Sequence, residues 1–432
     1  MPRLLYKVLV EEEILRKRLF VPLLILLAIP VFAQTVAIRA GFVIDPAKGT
    51  VAKDQVILVE QGKIKTMGAG ITIPPGAQVV DLSKEWITPG LMDAHTHLTL
   101  TEILNAPFES FYLKESTAFR ALRGLRNAQV LLQRGFTAVR EVGNDGDYAT
   151  EDVRKAIQQG LFDGPTILSA GKIITPFGGQ SYAVPQEQGP FWLYEYIDAD
   201  SPEEMRKAVR KNIYYGADLI KLVTDNGAYH FSLDEIRAAV DEAHHAGRAV
   251  AVHVYGGEAA QNVIEGGADS VEHGFGLSDA QLQLMKEKGT FLVGTDFPKS
   301  ALDYMGRNGN FLEDPAILGP KITDRLRRAY RIGVKMAFGT DSFLDVPGKT
   351  RADFMFDYLS RWREAGVPNA EILKCMTTNA AELLRIDKQR GNLTSGLAAD
   401  IIAMPANPLD DIESLRNVNF VMKDGKIVRR PE

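Results

Sequence analysis

The sequence predicts an α/β fold, a (β/α)8 TIM-type barrel accompanied by a small β-sandwich domain that both chain ends build. Between residues 89 and 388, apolar strand-like runs alternate with amphipathic helical stretches, as parallel βα units buried on both faces do. Eight such units fit a barrel, which typically needs about 250 residues. Short β-branched runs near both chain ends predict the second domain.

The composition is typical of a globular enzyme. The chain has 432 residues, of which 45% are hydrophobic and 24% are charged, and this excludes a disordered or fibrous protein. Fifty basic against 55 acidic residues leave a net charge of -5, so nucleic acid is not an expected partner. Cys375 is the only cysteine, which excludes an internal disulfide and a Cys-X-X-Cys metal site.

The N-terminus carries the pattern of a secretory signal. The cations of residues 16–18 precede an apolar run from Leu19 to Ala33, with a plausible cleavage site before Gln34. This run is shorter than the roughly 20 residues that span a bilayer, and it contains two prolines. We therefore expect residues 1–33 to be a signal peptide of an exported protein, periplasmic or secreted, that keeps no membrane span. The alternative, a buried helix of the domain, leaves the three cations unexplained.

The two ends of the mature chain share one sequence pattern. Residues 34–88 contain β-branched runs separated by glycine and proline turns, which predicts a small antiparallel β unit. Residues 389–432 repeat this pattern. We expect these two segments to form one sheet domain around a barrel at 89–388.

The barrel strands follow one another in order along the middle of the chain. Helical spacing separates several of them, for example in 232–246, 279–288 and 324–332. A doubly wound open sheet is the structural alternative, but it normally shows a glycine-rich phosphate turn after its first strand, which residues 90–95 lack. The eight predicted strands end near Asp93, Glu141, Thr175, Thr224, Tyr255, Gly274, Thr295 and Asp341.

Four of the seven histidines follow predicted strands. His95 and His97 are two residues apart, so their side chains point the same way from an extended chain and can share one ion. His253 and His273 lie at the ends of strands five and six, and Asp341 ends strand eight. Because the carboxyl ends of barrel strands meet at one mouth, these five residues predict a metal centre there.

Two other histidines carry no such signal. His244 and His245 lie on a helical stretch, where a histidine is more often a solvated surface residue than a ligand.

Lys221 closes an apolar strand, where a buried lysine is costly unless its charge is compensated or lost. A neutral amine can add carbon dioxide to give a carbamate with two oxygens for bridging two cations. The alternative is a salt bridge to Asp93 or Asp225. The nearby histidines favour the carbamate.

These motifs together resemble the metal-dependent amidohydrolase superfamily, especially its Xaa-Pro dipeptidase and imidazolonepropionase-like branch. The resemblance covers nearly everything after residue 35 and is far more specific for the superfamily than for a substrate. The matching segments are Ile87-Thr88-Pro89-Gly90-Leu91-Met92-Asp93-Ala94-His95-Thr96-His97, 216–221, 267–274, Gly339-Thr340-Asp341, 378–381 and 396–401.

The resemblance implies two divalent metal ions, for which we expect zinc. His95, His97 and Asp341 would hold the more buried ion, and His253 and His273 the more exposed one. A carboxylated Lys221 would bridge them. The chain has Gln180 and Tyr255 where many relatives have histidine, so these two residues are candidate substrate contacts.

The predicted reaction is hydrolysis of an amide or peptide bond by a hydroxide that bridges the two metal ions. Asp341 would act as general base and then general acid. The expected partner is a small-molecule substrate, a dipeptide or N-acyl amino acid, and a homo-oligomer is compatible with the sequence. The alternatives are a cyclic amide or lactone as substrate, or a non-catalytic exported binding protein.

Two further residues are candidate substrate contacts. Arg140 closes the second strand, and its guanidinium could hold a substrate carboxylate in a bidentate manner. The alternative is a structural ion pair of Arg140 with Glu141, Asp145 or another barrel acid. His230 lies on a loop after strand four, where either packing or substrate contact is expected.

Overall fold

A computed structural model describes residues 35–101, 114–143, 146–180, 185–224, 229–307 and 313–431. The predicted signal peptide, residues 1–33, lies outside these ranges. The strands within them are β1 (Val36–Asp45), β2 (Thr50–Glu60), β3 (Lys63–Gly68), β4 (Gln78–Pro89), β5 (Leu91–Thr96), β6 (Phe136–Glu141), β7 (Thr166–Ser169), β8 (Ile173–Thr175), β9 (Tyr196–Asp198), β10 (Leu219–Val223), β11 (Ala249–Gly256), β12 (Ser270–Gly276), β13 (Phe291–Val293), β14 (Ile401–Met404), β15 (Phe420–Lys423) and β16 (Lys426–Arg429).

Most of the helices lie between the strands of the middle region. They are α1 (Thr117–Gln133), α2 (Ala149–Gln158), α3 (Pro202–Tyr214), α4 (Leu233–His245), α5 (Gly257–Glu265), α6 (Asp279–Lys288), α7 (Lys299–Arg307), α8 (Pro315–Ile332), α9 (Arg351–Met355), α10 (Leu359–Glu364), α11 (Asn369–Cys375) and α12 (Thr378–Leu383). Short 3-10 helices cover Gln186–Gln188, Phe191–Tyr194, Phe356–Tyr358 and Ile412–Asn417. Over the described ranges, no helix is both long and apolar enough to cross a membrane.

Both chain ends contribute to one seven-stranded sheet, as expected. Its order is β16-β15-β14-β4-β1-β2-β3. β14 pairs antiparallel with β4, with Ile401 opposite Pro89. Buried residues from both ends, including Ile38, Ile57 and Phe420, pack into a single cluster. The sheet thereby joins segments of the chain that are more than 300 residues apart.

The expectation of a purely antiparallel β unit is wrong for one pair of strands. β1 and β4 run parallel, with Val36 opposite Gln78 and Val43 opposite Ile87. Because β3 is antiparallel to β2, residues 69–77 must carry the chain back to the far side of β1. Side-chain alternation defines the two faces of a strand but not its neighbours, so the sequence pattern could not reveal this crossing.

The middle region is α/β with parallel sheets, as predicted. One sheet has the order β5-β6-β7 and the other the order β13-β12-β11-β10-β8-β9. All of their strand pairs are parallel. Val250, Val252 and Val254 of β11 pack outward against helices, whereas Ala249 and Ala251 belong to a separate inner cluster. This alternation is that of a sheet buried on both faces.

Backbone hydrogen bonds connect the two sheets on both sides. The N–H of Asp218 donates to Ser169 at 2.7 Å, between the start of β10 and the end of β7. Residues 335–341 lie between β13 and β5: the N–H of Ala337 donates to Leu292, and the N–H of Ala94 donates to Phe338. The segment predicted to be the last strand forms isolated bridges rather than a regular ladder.

The strands in the region 166–198 differ from the prediction in two ways. The strand expected to end at Thr175 is split into β7 and β8, because Gly171 between them has a left-handed φ of 66°. A Cβ at this glycine would lie 2.8 Å from the Tyr148 ring, so a side chain is excluded there. β9 was not expected, since its three residues are too few to show a periodic pattern.

The three predicted helical stretches are confirmed. Residues 233–245 and 279–288 are helical, and each helix begins with a capping box, formed by Ser232 with Glu235 and by Ser278 with Gln281. The third stretch is the second half of α8, which begins earlier than expected because Asp314 caps its N-terminus.

Candidate active site

His95 and His97 lie at the carboxyl end of β5 on one face of the chain. Met92 and Ala94, on the other face, pack in a cluster with Ala380 of α12. Both histidines are buried, and their ring centroids lie 5.3 Å apart. The structure thus brings this predicted pair together.

Hydrogen-bond acceptors fix the tautomer of both rings. Nδ1 of His97 lies 2.7 Å from the carbonyl oxygen of Gly143, which can only accept a hydrogen bond. Nδ1 of His95 lies 2.6 Å from a carboxylate oxygen of Glu272. Nδ1 therefore donates in both rings, and the lone pair lies on Nε2. A carbonyl or carboxylate partner of this kind is usual for metal-binding histidines.

Arg140 belongs to the same buried network. Its guanidinium donates to Ser270 Oγ at 3.0 Å, to Glu272 Oε1 at 2.7 Å and to the carbonyl oxygen of Ala94. The residue is only 2% exposed. This corrects the expectation that Arg140 receives a substrate carboxylate, because all three nitrogens of its guanidinium already have partners. Arg140 instead forms a structural ion pair, which was the alternative expectation, and its partner is Glu272.

Asp341 lies against both histidines. Its Oδ1 is 3.0 Å from Nε2 of His97 and 3.6 Å from Nε2 of His95, and its backbone N–H donates to the carbonyl of His95 at 2.7 Å. Asp93 Oδ1 accepts from the N–H of His95 and of Thr340, which ties β5 to residues 340–341. Burial raises the pKa of Asp93 to about 7.

His253 and His273 complete the cluster from β11 and β12. Their ring centroids are 4.2 Å apart, and the ring of His273 is 5.2 Å from that of His95. His273 directly follows Glu272, and in a regular strand these two side chains would point to opposite faces. A left-handed φ of 68° at His273 lets both residues reach His95.

Three residues of the site share this left-handed backbone. The φ angles are 68° for His273, 46° for Thr295 and 53° for Asp341. Such angles are uncommon for residues other than glycine, and least expected for a β-branched threonine. Local strain of this kind, about 1–3 kcal/mol per residue, concentrates at functional sites. Thr295 Oγ1 lies 2.7 Å from Nδ1 of His273, so the strained residues also contact one another.

Lys221 lies on β10 beside these residues. It is 2% exposed, and Val223, two residues further on, is paired with His253 of β11. Burial lowers the pKa of Lys221 to about 8, although the carboxylates of Glu272 and Asp341 act in the opposite direction. Two ion-pair partners of Lys221 were expected as the alternative to a carbamate. Asp93 is a buried acid that accepts hydrogen bonds from backbone N–H groups, and Asp225 lies outside the described residues.

Three histidines of the cluster are held neutral by their surroundings. Burial lowers the pKa of His95, His253 and His273 well below 6.5, and the positive charge of Lys221 adds to this effect. A neutral imidazole is the form that ligates a metal ion.

The donor atoms fit a divalent metal ion. One donor atom from each of His95, His273 and Asp341 lies within 4.8 Å of the others. Nε2 of His253 is buried and has no hydrogen-bond partner among the described residues, which is unfavourable unless a ligand occupies it. Imidazole nitrogens with a carboxylate oxygen are common ligands of zinc and similar ions.

The predicted substrate contacts lie in different places. Tyr255 is half-buried beside the cluster, with its ring 4.7 Å from that of His253 and stacked on Phe275. Gln180 is half-buried and accepts a hydrogen bond from the Tyr196 hydroxyl at 3.4 Å, and His230 is exposed. The described contacts link Tyr255, but not Gln180 or His230, to the histidines.

His244 and His245 lie on α4 and are exposed, as expected for surface residues. Nε2 of His244 contacts the carboxylate of Asp269 at 2.7 Å.

Sequence reasoning missed the residues that support the ligands. Glu272 could have been found, because an acid within a strand that is predicted to be buried requires a partner. Gly143 and Thr295 gave no signal: the first acts through its backbone carbonyl, and the second reaches His273 only because of its unusual φ.

The comparisons with known proteins agree with this arrangement. Residues 86–428 match the model of the Amidohydrolase family. A crystal structure of a Xaa-Pro dipeptidase with bound methionine has a TM-score of 0.81 and 31% identity, covering 92% of this chain and 100% of that one. The ochratoxinase of Aspergillus niger is 28% identical over 92% of this chain and 88% of its own. The imidazolonepropionase of Kosmotoga olearia is 24% identical over 88% and 92%.

The parallel α/β fold and a buried histidine–aspartate cluster at its strand ends define a hydrolase that acts on carbon–nitrogen bonds. The chain belongs to the amidohydrolase family. The resemblance found in the sequence is thereby confirmed, and so is the prediction of an enzyme.

Proposed function

We propose that the protein hydrolyses the amide bond of a dipeptide or of an N-acyl amino acid. The observation that carries this proposal is the buried cluster in which Asp341 Oδ1 lies 3.0 Å from Nε2 of His97, at the carboxyl ends of parallel strands. A proton carrier beside imidazoles that can ligate a metal ion is an arrangement that supports metal-assisted amide hydrolysis. The similarity to a Xaa-Pro dipeptidase supports a dipeptide-like substrate.

We propose that these residues bind two divalent metal ions, and that the ions are zinc. His95, His97 and Asp341 would hold one ion, and His253 and His273 the other. When bound, such ions supply an activated water and polarise the scissile carbonyl.

We propose that Lys221 carries a carbamate that bridges the two ions. The neutral amine adds to carbon dioxide, a nitrogen–carbon bond forms, and one proton is released to solvent. A pKa of about 8 leaves roughly one amine in ten uncharged at pH 7, far more than for an exposed lysine. The carbamate also removes a positive charge that burial disfavours and that lies close to three histidines.

The remaining steps belong to the side chains of the chain itself. Asp341 accepts a proton from the attacking water and delivers it to the departing nitrogen, so the leaving group departs as a neutral amine. Glu272 and the carbonyl of Gly143 hold the imidazoles of His95 and His97 in one tautomer throughout. Arg140 forms a buried ion pair with Glu272 and so fixes the position of that carboxylate.

We further propose that the two parallel sheets form one closed (β/α)8 barrel. The support is the pair of hydrogen-bonded connections, Asp218 to Ser169 on one side and residues 335–341 between β13 and β5 on the other. The β sheet of the chain ends would complete the small sandwich domain. Closure would bring all five predicted ligands and Lys221 to one mouth.

A substrate screen tests the reaction class. Purified, zinc-loaded protein is assayed against Xaa-Pro dipeptides, other dipeptides, N-acyl amino acids, cyclic amides and lactones. We expect the highest kcat/KM for a linear dipeptide or N-acyl amino acid, at least about tenfold above any lactone, since the proton from Asp341 assists a nitrogen leaving group. Lactones or cyclic amides as the only substrates would contradict the proposal, and Asp341→Asn protein shows whether a contaminant is responsible.

We propose that the protein is exported and that the mature chain begins near Gln34. N-terminal sequencing of the native protein should find this end. The variant with Arg16→Glu, Lys17→Glu and Arg18→Glu should accumulate as an uncleaved precursor, because the basic cluster precedes the apolar run in a secretory signal. A native protein that retains residues 1–33 would contradict this proposal.

A further inference from the structure

The turn that follows β13 has an unusual conformation. Thr295 is fully buried, has a φ of 46° and accepts a hydrogen bond at its carbonyl from the N–H of Phe297 at 2.7 Å. A β-branched residue with positive φ is a real outlier, so the surrounding structure must hold it in place.

Two buried arginines hold this turn from both ends. Arg325 donates to the carbonyl of Gly294 at 2.9 Å, and Arg361 donates to the carbonyl of Phe297 at 3.1 Å. Gly294 permits this contact, because a Cβ at that position would lie 2.1 Å from the Arg325 guanidinium. The turn is therefore built around the two guanidinium groups.

Asp296, the residue between these contacts, forms a buried ion pair with Arg325 at 2.9 Å. Asp296 is 1% exposed and Arg325 is 0% exposed. The desolvation of two such charges generally offsets their attraction, so a buried pair of this kind gives little net stability. The pair does, however, connect the turn to Arg325 by a side-chain contact in addition to the contact at the carbonyl of Gly294.

The residue so positioned contacts a proposed metal ligand. Thr295 Oγ1 lies 2.7 Å from Nδ1 of His273. We infer that Thr295 is a positioning residue whose hydroxyl accepts a hydrogen bond from Nδ1–H of His273 and leaves the Nε2 lone pair for a metal ion. This inference rests on the proposed metal centre. Thr295 would hold the ring of His273 in one tautomer, as Glu272 does for His95. The carbonyl of Gly143 does the same for His97.

Three variants test this role. Thr295→Val removes the hydroxyl and keeps the β-branched shape, whereas Thr295→Ser keeps the hydroxyl. Thr290→Val is the matched control: Thr290 is a buried threonine just before β13, and its hydroxyl donates to the carbonyl of Ala268 at 3.2 Å. Two properties are measured on the full chain: the tautomer of His273, by ¹⁵N NMR of metal-free protein, and the zinc dissociation constant, by competition with a chelator.

We expect wild-type His273 to be protonated at Nδ1 and Thr295→Val to lose this preference. The zinc dissociation constant of the site that contains His273 should rise about 10–100-fold in Thr295→Val. It should change less than about threefold in Thr295→Ser and Thr290→Val. An Nε2-protonated His273 in the wild type, or unchanged zinc affinity in Thr295→Val, would overturn the inference. A wild type that binds no zinc would instead refute the proposed metal centre, and the tautomer measurement would still decide the role of Thr295.

Discussion

Replacing Asp341 by asparagine should lower turnover per bound metal by about a hundred to ten-thousand-fold. The amide keeps the shape of the carboxylate but cannot accept a proton at neutral pH. Because Oδ1 of Asp341 lies 3.0 Å from Nε2 of His97, the substitution is also expected to reduce metal content. The measurement is therefore kcat divided by the metal content of each preparation, with the best substrate of the screen.

The control for Asp341→Asn is the same chemical change at a distant, exposed aspartate. Asp387 is exposed, so Asp387→Asn should leave turnover within about twofold of wild type. Near-normal turnover per metal in Asp341→Asn would rule out Asp341 as the proton carrier. Full metal content with a large loss of kcat would separate its role in proton transfer from its role as a ligand.

The fold was predictable from the sequence where periodicity is strong. The strands at 249–256 and 270–276 are largely buried on both faces and pair in parallel, as expected. The third and eighth strands were less predictable, because Gly171 and the left-handed Asp341 interrupt regular pairing and neither φ angle can be read from residue type alone. The parallel pairing of β1 with β4 depends on a chain crossing, which strand periodicity does not encode.

That the candidate ligands lie close together was predictable, because each was placed at the end of a predicted strand and parallel strands end at a common edge. The partners of these ligands were not, since they come from distant segments: Glu272 is 177 positions from His95, and Gly143 contacts His97 through its backbone. The role of Arg140 could not be assigned from the sequence. Its position at a strand end fits either a substrate contact or an ion pair, and only the position of Glu272 decides between them.

Replacing Lys221 by methionine should abolish activity without lowering the Tm of the metal-free protein. Methionine has nearly the same length as lysine but no amine, so no carbamate can form. We expect fewer than two metal ions per chain and a loss of kcat/KM of at least about a thousandfold, because the activated water and carbonyl polarisation both depend on the metal centre. In metal-free protein Lys221 is an amine whose charge is buried and whose pKa is lowered to about 8, so the Tm of metal-free Lys221→Met should equal or exceed that of metal-free wild type.

A large loss of activity with an unchanged or higher Tm of the metal-free protein distinguishes a lost bridging ligand from a damaged fold. Protein incubated with ¹³C-bicarbonate should show a carbamate carbonyl signal in ¹³C NMR, and this signal should be absent from Lys221→Met. His244→Ala and His245→Ala, on the exposed face of α4, should retain metal content and turnover within about twofold. If Lys221→Met keeps two metal ions and normal turnover, Lys221 is not a bridging ligand. If the Tm of the metal-free variant falls sharply, the amine itself stabilises the fold, and a role as a carbamate does not explain that stability.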